Sequence, residues 1–92
     1  MTSRKKAMSQ QERAFHKAFG ARITRLREKT GLTQVEVAAS LRIAQQTYSA
    51  YESGRHRFAI SLLPALAEIL MTDANELVGI RVKKTSSRRG SG

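Results

Sequence analysis

The fold is decided by residues 33–54, TQVEVAASLRIAQQTYSAYESG, which predict two short helices joined by a tight turn. Thr33 and Glu36 have the spacing of a capping box, so the first helix should begin directly after Thr33. Leu32 and Val37 are spaced as the hydrophobic staple that often accompanies such a box. This helix should end near Leu41, and its buried face should consist of Val37, Ala38 and Leu41.

The second helix is predicted from about Gln45 to Ser53, after a turn at Arg42 and Ile43, and Gly54 should end it. Tyr48 and Tyr51 are three positions apart and should point inward. The other face carries small or amide side chains without net charge: Gln45, Gln46, Thr47, Ser49 and Ala50. A solvent-facing helix more often carries Lys and Glu, so this face is better suited to a surface rich in hydrogen-bond donors and acceptors.

The composition favours a polyanionic partner. Ninety-two residues are enough for one domain, and seventeen Lys and Arg against seven Asp and Glu give a formal charge of +10. This excess favours nucleic acid or an acidic membrane face over a merely solvated basic surface. The absence of cysteine excludes disulfides and thiolate metal sites. No apolar targeting or membrane segment is visible, so we expect a cytoplasmic protein without membrane contact.

The chain divides into three parts by composition. Residues 1–11 are expected to form a flexible basic arm, in which Arg4, Lys5 and Lys6 either contact the partner or belong to a passive leader. Residues 12–80 should form the folded domain. Residues 81–92 are basic and rich in Ser and Gly, which is typical of a disordered tail.

Helical patterns also flank the central pair, which predicts an all-α bundle of about five helices. The first should run from Gln11 to Lys29, end at Gly31 and bury one face. That face comprises Phe15, Phe19, Ile23 and Leu26. Farther along, Ser61 resembles a cap before Pro64, and Asp73 with Glu76 repeats the capping-box spacing. The apolar turn at residues 77–80 is the candidate dimer interface.

A helix–turn–helix pair can read double-stranded DNA when its second helix enters the major groove, which is about 12 Å wide. Gln45 and Gln46 can each offer a donor and an acceptor to adenine N6 and N7, while Thr47 and Ala50 can contact a thymine methyl. The helix start at Thr33 and Gln34 favours phosphate. Further phosphate contacts are expected from Arg22, Arg55, His56 and Arg57.

These residues resemble the phage repressor and Cro type of helix-turn-helix domain, the XRE-like class. The resemblance is carried by RITRLREKTGLTQVEVAASL, IAQQTYSAYESGR, SLLPALAEIL and ANELVG, within residues 19–79. It implies a five-helix lambda-repressor-like bundle. It also implies a bacterial or phage transcriptional regulator that acts as a repressor and binds a palindromic operator as a homodimer. It also implies phosphate contact by Gln34, base contact by the 45–50 face, and a structural ion pair between Arg27 and Glu52.

Three positions depart from the family pattern. Arg42 occupies a turn position where glycine is common, Ala44 replaces a Ser or Thr cap, and Met71 replaces a frequent glycine. A left-handed backbone at the first position would therefore cost more, and the reading helix would lack a cap contributing about 1 kcal/mol.

Other functions remain alternatives at this point. The same fold serves as the antitoxin of a toxin–antitoxin pair, in which a tail would bind the toxin partner, and it can persist as a protein-interaction module. The tails alone could bind RNA or membranes non-specifically. The sequence shows no spaced nucleophile, base and orienting group and no Gly-rich phosphate loop, so we expect no enzymatic activity and no cofactor. Glu12 and His16 are only two potential ligands, so no metal site is expected.

Overall fold

The computed structural model describes residues 7–79, which form five α-helices and one short 3-10 turn. The helices are α1 (Gln10–Thr30), α2 (Gln34–Leu41), α3 (Gln45–Ser53), α4 (Leu63–Ile69) and α5 (Ala74–Val78), with the 3-10 turn at Ile60–Leu62. The predicted all-α bundle is confirmed. The predicted contacts of Arg4, Lys5 and Lys6, the tail at 81–92 and Ile80 lie outside the described residues.

α1 begins at Gln10, inside the stretch predicted as the arm. Ser9 and Glu12 form a capping box, with Glu12 N donating to Ser9 Oγ and Ser9 N donating to Glu12 Oε1, both at 3.0 Å. This cap extends the helix beyond the apolar periodicity on which the arm boundary at residue 11 was based. The other domain boundaries stay predictions.

The core combines side chains from all five helices. Its fully buried members are Phe19, Ile23, Val37, Tyr48, Leu66, Leu70 and Leu77. The prediction that Phe15 belongs to this core is wrong, since its side chain is 47% exposed and its ring stacks beside Phe19, with centroids 6.3 Å apart. Leu77 is 0% exposed and holds α5 in the core, so it is not available as the predicted dimer interface.

α1 and α3 cross at very short distance because Gly20 has no side chain. A Cβ at Gly20 would lie 2.3 Å from the Glu52 carbonyl oxygen and 2.6 Å from that of Tyr51. Gly54 ends α3 with a φ of 80° and lies against the Lys17 backbone, where a Cβ would be 2.8 Å from Cα. The second helix of the central pair is therefore fixed against α1 along its C-terminal half.

The start of α4 differs from its prediction. Ser61 lies in the 3-10 turn and does not cap α4, whose N-cap position is occupied by Leu62 without a side-chain hydrogen bond. Pro64 in the first turn has no N–H that needs a partner, which makes a side-chain cap less necessary there.

α5 keeps half of its predicted capping box. Asp73 Oδ1 accepts from Glu76 N at 2.8 Å, whereas the Glu76 carboxylate accepts from the Thr72 hydroxyl. Within residues 7–79, no helix has both the length and the apolar character needed to cross a membrane.

Candidate nucleic-acid interface

The predicted capping box fixes the start of α2. Glu36 N donates to Thr33 Oγ at 3.1 Å, and Thr33 N donates to Glu36 Oε1 at 2.8 Å. Thr33 therefore uses both its hydroxyl and its amide in the cap. An anion approaching this helix start would also meet the Glu36 carboxylate. The negative charge of Glu36 therefore partly offsets the positive end of the α2 dipole.

The turn between α2 and α3 contains two of the three positions that depart from the family pattern. Arg42 adopts the left-handed conformation, with φ 62° and ψ 41°, and its N–H donates to the Ala39 carbonyl at 3.1 Å. Ala44 occupies the N-cap of α3 and provides no side-chain hydrogen bond. Outside this turn, Met71 is also left-handed, at φ 59°. The helix pair thus keeps its geometry despite local backbone strain.

A chain of polar side chains runs from α1 to the first residue of α3. Arg27 Nε donates to Glu52 Oε2 at 2.7 Å and its Nη2 to Oε1 at 3.2 Å, which is the ion pair that the resemblance implies. Gln34 Nε2 donates to Glu52 Oε1 at 2.9 Å. Gln45 Nε2 in turn lies 3.5 Å from Gln34 Oε1, at the limit of a hydrogen bond. The amide of Gln45 therefore lies at the end of a polar network that joins three helices.

The charge of Glu52 is maintained by this network. Burial by itself would raise the pKa of its carboxyl, but hydrogen bonds from Arg27 and Gln34, with the nearby Tyr48 hydroxyl, hold that pKa below its usual range. The hydroxyl of Tyr48 is buried without a hydrogen bond of normal geometry, and burial raises its pKa, so it stays neutral. Glu52 is therefore the anionic centre that joins the helices.

Fewer of the residues predicted to contact bases are accessible in the structure than the sequence indicated. Gln45 and Gln46 are exposed, and Thr47 and Ser49 are half-buried. Ala50 is only 2% exposed, so its predicted contact with a base is wrong. The chain turns at Gly54 and folds back towards this residue, so the Ala50 carbonyl accepts from Arg55 N at 3.0 Å and His56 N at 3.5 Å. Of the predicted base-contacting residues, the exposed ones are therefore the two at the start of α3, Gln45 and Gln46.

The basic loop after α3 is exposed at Arg55, His56 and Arg57. Arg55 Nε donates to Ser53 Oγ at 3.2 Å, and Arg57 forms an ion pair with Glu12 at 3.2 Å. The loop thus follows directly on the C-terminal end of α3, and its contacts with phosphate stay a prediction.

Arg22 does not join that loop. Its side chain is half-buried, and Nη1 donates to the Leu77 carbonyl at 3.0 Å, at the C-terminal end of α5. The predicted phosphate role of Arg22 is therefore not supported, because its guanidinium binds this carbonyl in the last turn of α5. Its position on a basic helix gave no indication of this partner.

The positioning roles of two residues are not evident from the sequence. Gly20 allows α3 to approach α1, and Glu12 forms an ion pair with Arg57. Among residues 7–79, no group of three or more His, Cys, Asp or Glu side chains gathers where it could hold a metal. The glycine gave no local signal, since an isolated glycine in a helical pattern looks only unfavourable.

Comparisons with known proteins cover the same region. Residues 18–78 match a family model described as a helix-turn-helix domain. The HTH-type transcriptional regulator AnsR of Bacillus subtilis (strain 168) is 36% identical over 66 residues, which is 72% of this chain and 57% of that protein. The chain thus spans little more than half the length of this relative. No solved structure matches it significantly.

Proposed function

The chain belongs to the helix-turn-helix domain family, and on this premise we propose that it is a transcriptional regulator that binds double-stranded DNA in a sequence-specific way. The resemblance of residues 18–78 to a helix-turn-helix domain and the similarity to a transcriptional regulator support this function. Binding is non-covalent, and the regulator acts as a repressor by occupying a promoter. α3 enters the major groove, and its exposed start contacts the bases.

The observation that carries the proposal is the exposed amide pair at the start of α3. Gln45 and Gln46 are both exposed, and Gln45 lies against Gln34, which is itself bound to Glu52. Each amide can pair with adenine N6 and N7, and a good bidentate pair contributes about 1–3 kcal/mol of discrimination. Thr47 and Ser49 add contacts at the edge of this face.

Affinity comes from the excess of basic side chains. The chain carries a net charge of +10, and the exposed loop at Arg55, His56 and Arg57 is adjacent to the end of α3. Phosphate contacts by such groups orient the protein without selecting the sequence. One reading helix covers few base pairs, so the protein acts as a homodimer on a palindromic operator with half-sites about 34 Å apart.

Selection from a randomised duplex library at two salt concentrations tests the proposal. The wild type should enrich a palindrome with A·T pairs at the glutamine contacts. Changing Gln45→Ala with Gln46→Ala should abolish the preference but leave weak, salt-sensitive binding. Changing Gln10→Ala with Gln11→Ala, an adjacent exposed amide pair on α1, is the matched control and should leave the motif unchanged.

Two outcomes would contradict different parts of the proposal. A double variant at Gln45 and Gln46 that selects the wild-type motif would show that other residues read the bases. A wild-type protein that enriches no sequence at either salt concentration would refute sequence-specific DNA binding itself.

A further inference from the structure

A second ion pair joins the first turn of α1 to the loop after α3. Arg57 Nε donates to Glu12 Oε2 at 3.2 Å, and Arg57 Nη2 donates to Glu12 Oε1 at 3.3 Å. Both side chains are 45% exposed, so the pair lies at the protein surface. The carboxylate of Glu12 thereby occupies one donor edge of a guanidinium in the loop proposed to contact phosphate.

The position of Glu12 is fixed by contacts other than Arg57. Its Oε1 accepts from Ser9 N, and its own N–H donates to Ser9 Oγ, as part of the capping box of α1. The pKa of Glu12 is lowered, first by its hydrogen bond with Arg57 and then by the one from Ser9 N. Glu12 is therefore ionised at neutral pH, and the capping box of α1 positions its carboxylate beside Arg57.

A carboxylate and a phosphate offer the same feature to arginine, which is a pair of oxygens that accept two parallel N–H bonds. Only one of them can accept from the Nε and Nη2 edge of Arg57 at a time. A DNA phosphate that takes this edge must displace Glu12, and the displaced carboxylate would then lie unpaired beside a polyanion.

We propose that Glu12 is an internal competitor for the DNA phosphate at Arg57 and that it lowers the affinity of this protein for DNA. The inference rests on the proposed DNA-binding function. Glu12 does not select bases, so it weakens binding to all duplexes alike and leaves discrimination to the start of α3. Its role is to make binding more dependent on the base contacts.

Glu12→Gln tests the role of charge without removing the cap. Glutamine at this position also serves a capping box, so the start of α1 is preserved. We expect the variant to bind both a selected operator and an unrelated duplex roughly two- to fivefold more tightly, as for the loss of an exposed ion pair. The slope of log affinity against log salt should become steeper by roughly 0.9, for one additional phosphate contact.

Two further variants separate this mechanism from a general change in net charge. Glu28→Gln removes one exposed negative charge from the same helix and should have a smaller effect. In the background of Arg57→Gln, which itself weakens binding, Glu12→Gln should give no more gain than Glu28→Gln. Unfolding midpoints of the variants, measured in parallel, show whether the fold is retained.

The same variants also define the results that would overturn the inference. If Glu12→Gln weakens binding, Glu12 orients Arg57 towards DNA instead of competing with it. If its gain equals that of Glu28→Gln, or persists undiminished in Arg57→Gln, the ion pair is irrelevant to DNA affinity. A wild-type protein that binds no duplex would refute the proposed function rather than this competition.

Discussion

The guanidinium of Arg27 holds the carboxylate of Glu52 through two hydrogen bonds, at 2.7 and 3.2 Å, and so fixes α1 to the end of α3. Both side chains are largely removed from water, at 13% and 6% exposure. Gln34 donates to the same carboxylate and lies 3.5 Å from Gln45, so the ion pair is connected to the exposed start of α3.

Glu52→Gln should therefore destabilise the domain strongly. The substitution leaves the Arg27 guanidinium without its counter-charge in a mostly buried position, which costs roughly 3 kcal/mol in the free energy of unfolding. Urea denaturation measures this loss. The control is Glu68→Gln, at an exposed position of α4, which should change stability by no more than about 0.5 kcal/mol. Equal midpoints for the two variants would contradict the role assigned to the ion pair.

The same carboxylate should make stability depend on pH in the acidic range. The pKa of Glu52 in the folded protein lies below its ordinary value of 4.5, so the unfolded chain binds its proton more readily. The stabilisation is fully present above pH 4.5 and is lost as the pH falls through the lower, folded-state pKa. Urea unfolding at stepped pH should show this loss in the wild type. The difference in stability between the wild type and Glu52→Gln should shrink towards acid, and a constant difference would contradict the assignment.

The sign of the stability change caused by Gly20→Ala shows whether helix propensity or helix packing dominates at this position. Propensity alone predicts that alanine stabilises α1 by about 1 kcal/mol. The added Cβ, however, would lie 2.3 Å from the Glu52 carbonyl oxygen, so α3 must move away. Overpacking of this kind typically costs about 1–3 kcal/mol, and we expect a net loss of stability in urea. A variant more stable than the wild type would show that α3 can shift without cost.

Local chemistry explains which parts of this structure could be predicted from sequence. The capping box at Thr33 and Glu36 and the stop at Gly54 depend on a few neighbouring residues, and both are present in the structure. Tyr48 could also be assigned to the core, because its spacing of three positions from Tyr51 places both residues on the inward face of α3.

Burial and long-range pairing could not be predicted in this way. Ala50 and Phe15 were misassigned because their exposure depends on how the next segment turns and where α1 crosses α3, which periodicity does not encode. Arg22 binds the end of α5, and Arg57 pairs with Glu12, which lies 45 positions earlier in the chain. An arginine on a basic surface has the same appearance in sequence whether it binds DNA or its own chain.

The turn at Arg42 provides a matched pair of variants, Arg42→Gly and Arg42→Ala. Both remove the same charge, but only glycine adopts the left-handed conformation at φ 62° without a clash between Cβ and the backbone. That clash costs about 1–2 kcal/mol, part of which is offset because glycine gains entropy in the unfolded chain. We therefore expect Arg42→Gly to be about 1 kcal/mol more stable than Arg42→Ala in urea unfolding. Met71, at φ 59° and exposed, should show the same order for its glycine and alanine variants, and equal stability within both pairs would mean that the backbone strain is relieved elsewhere.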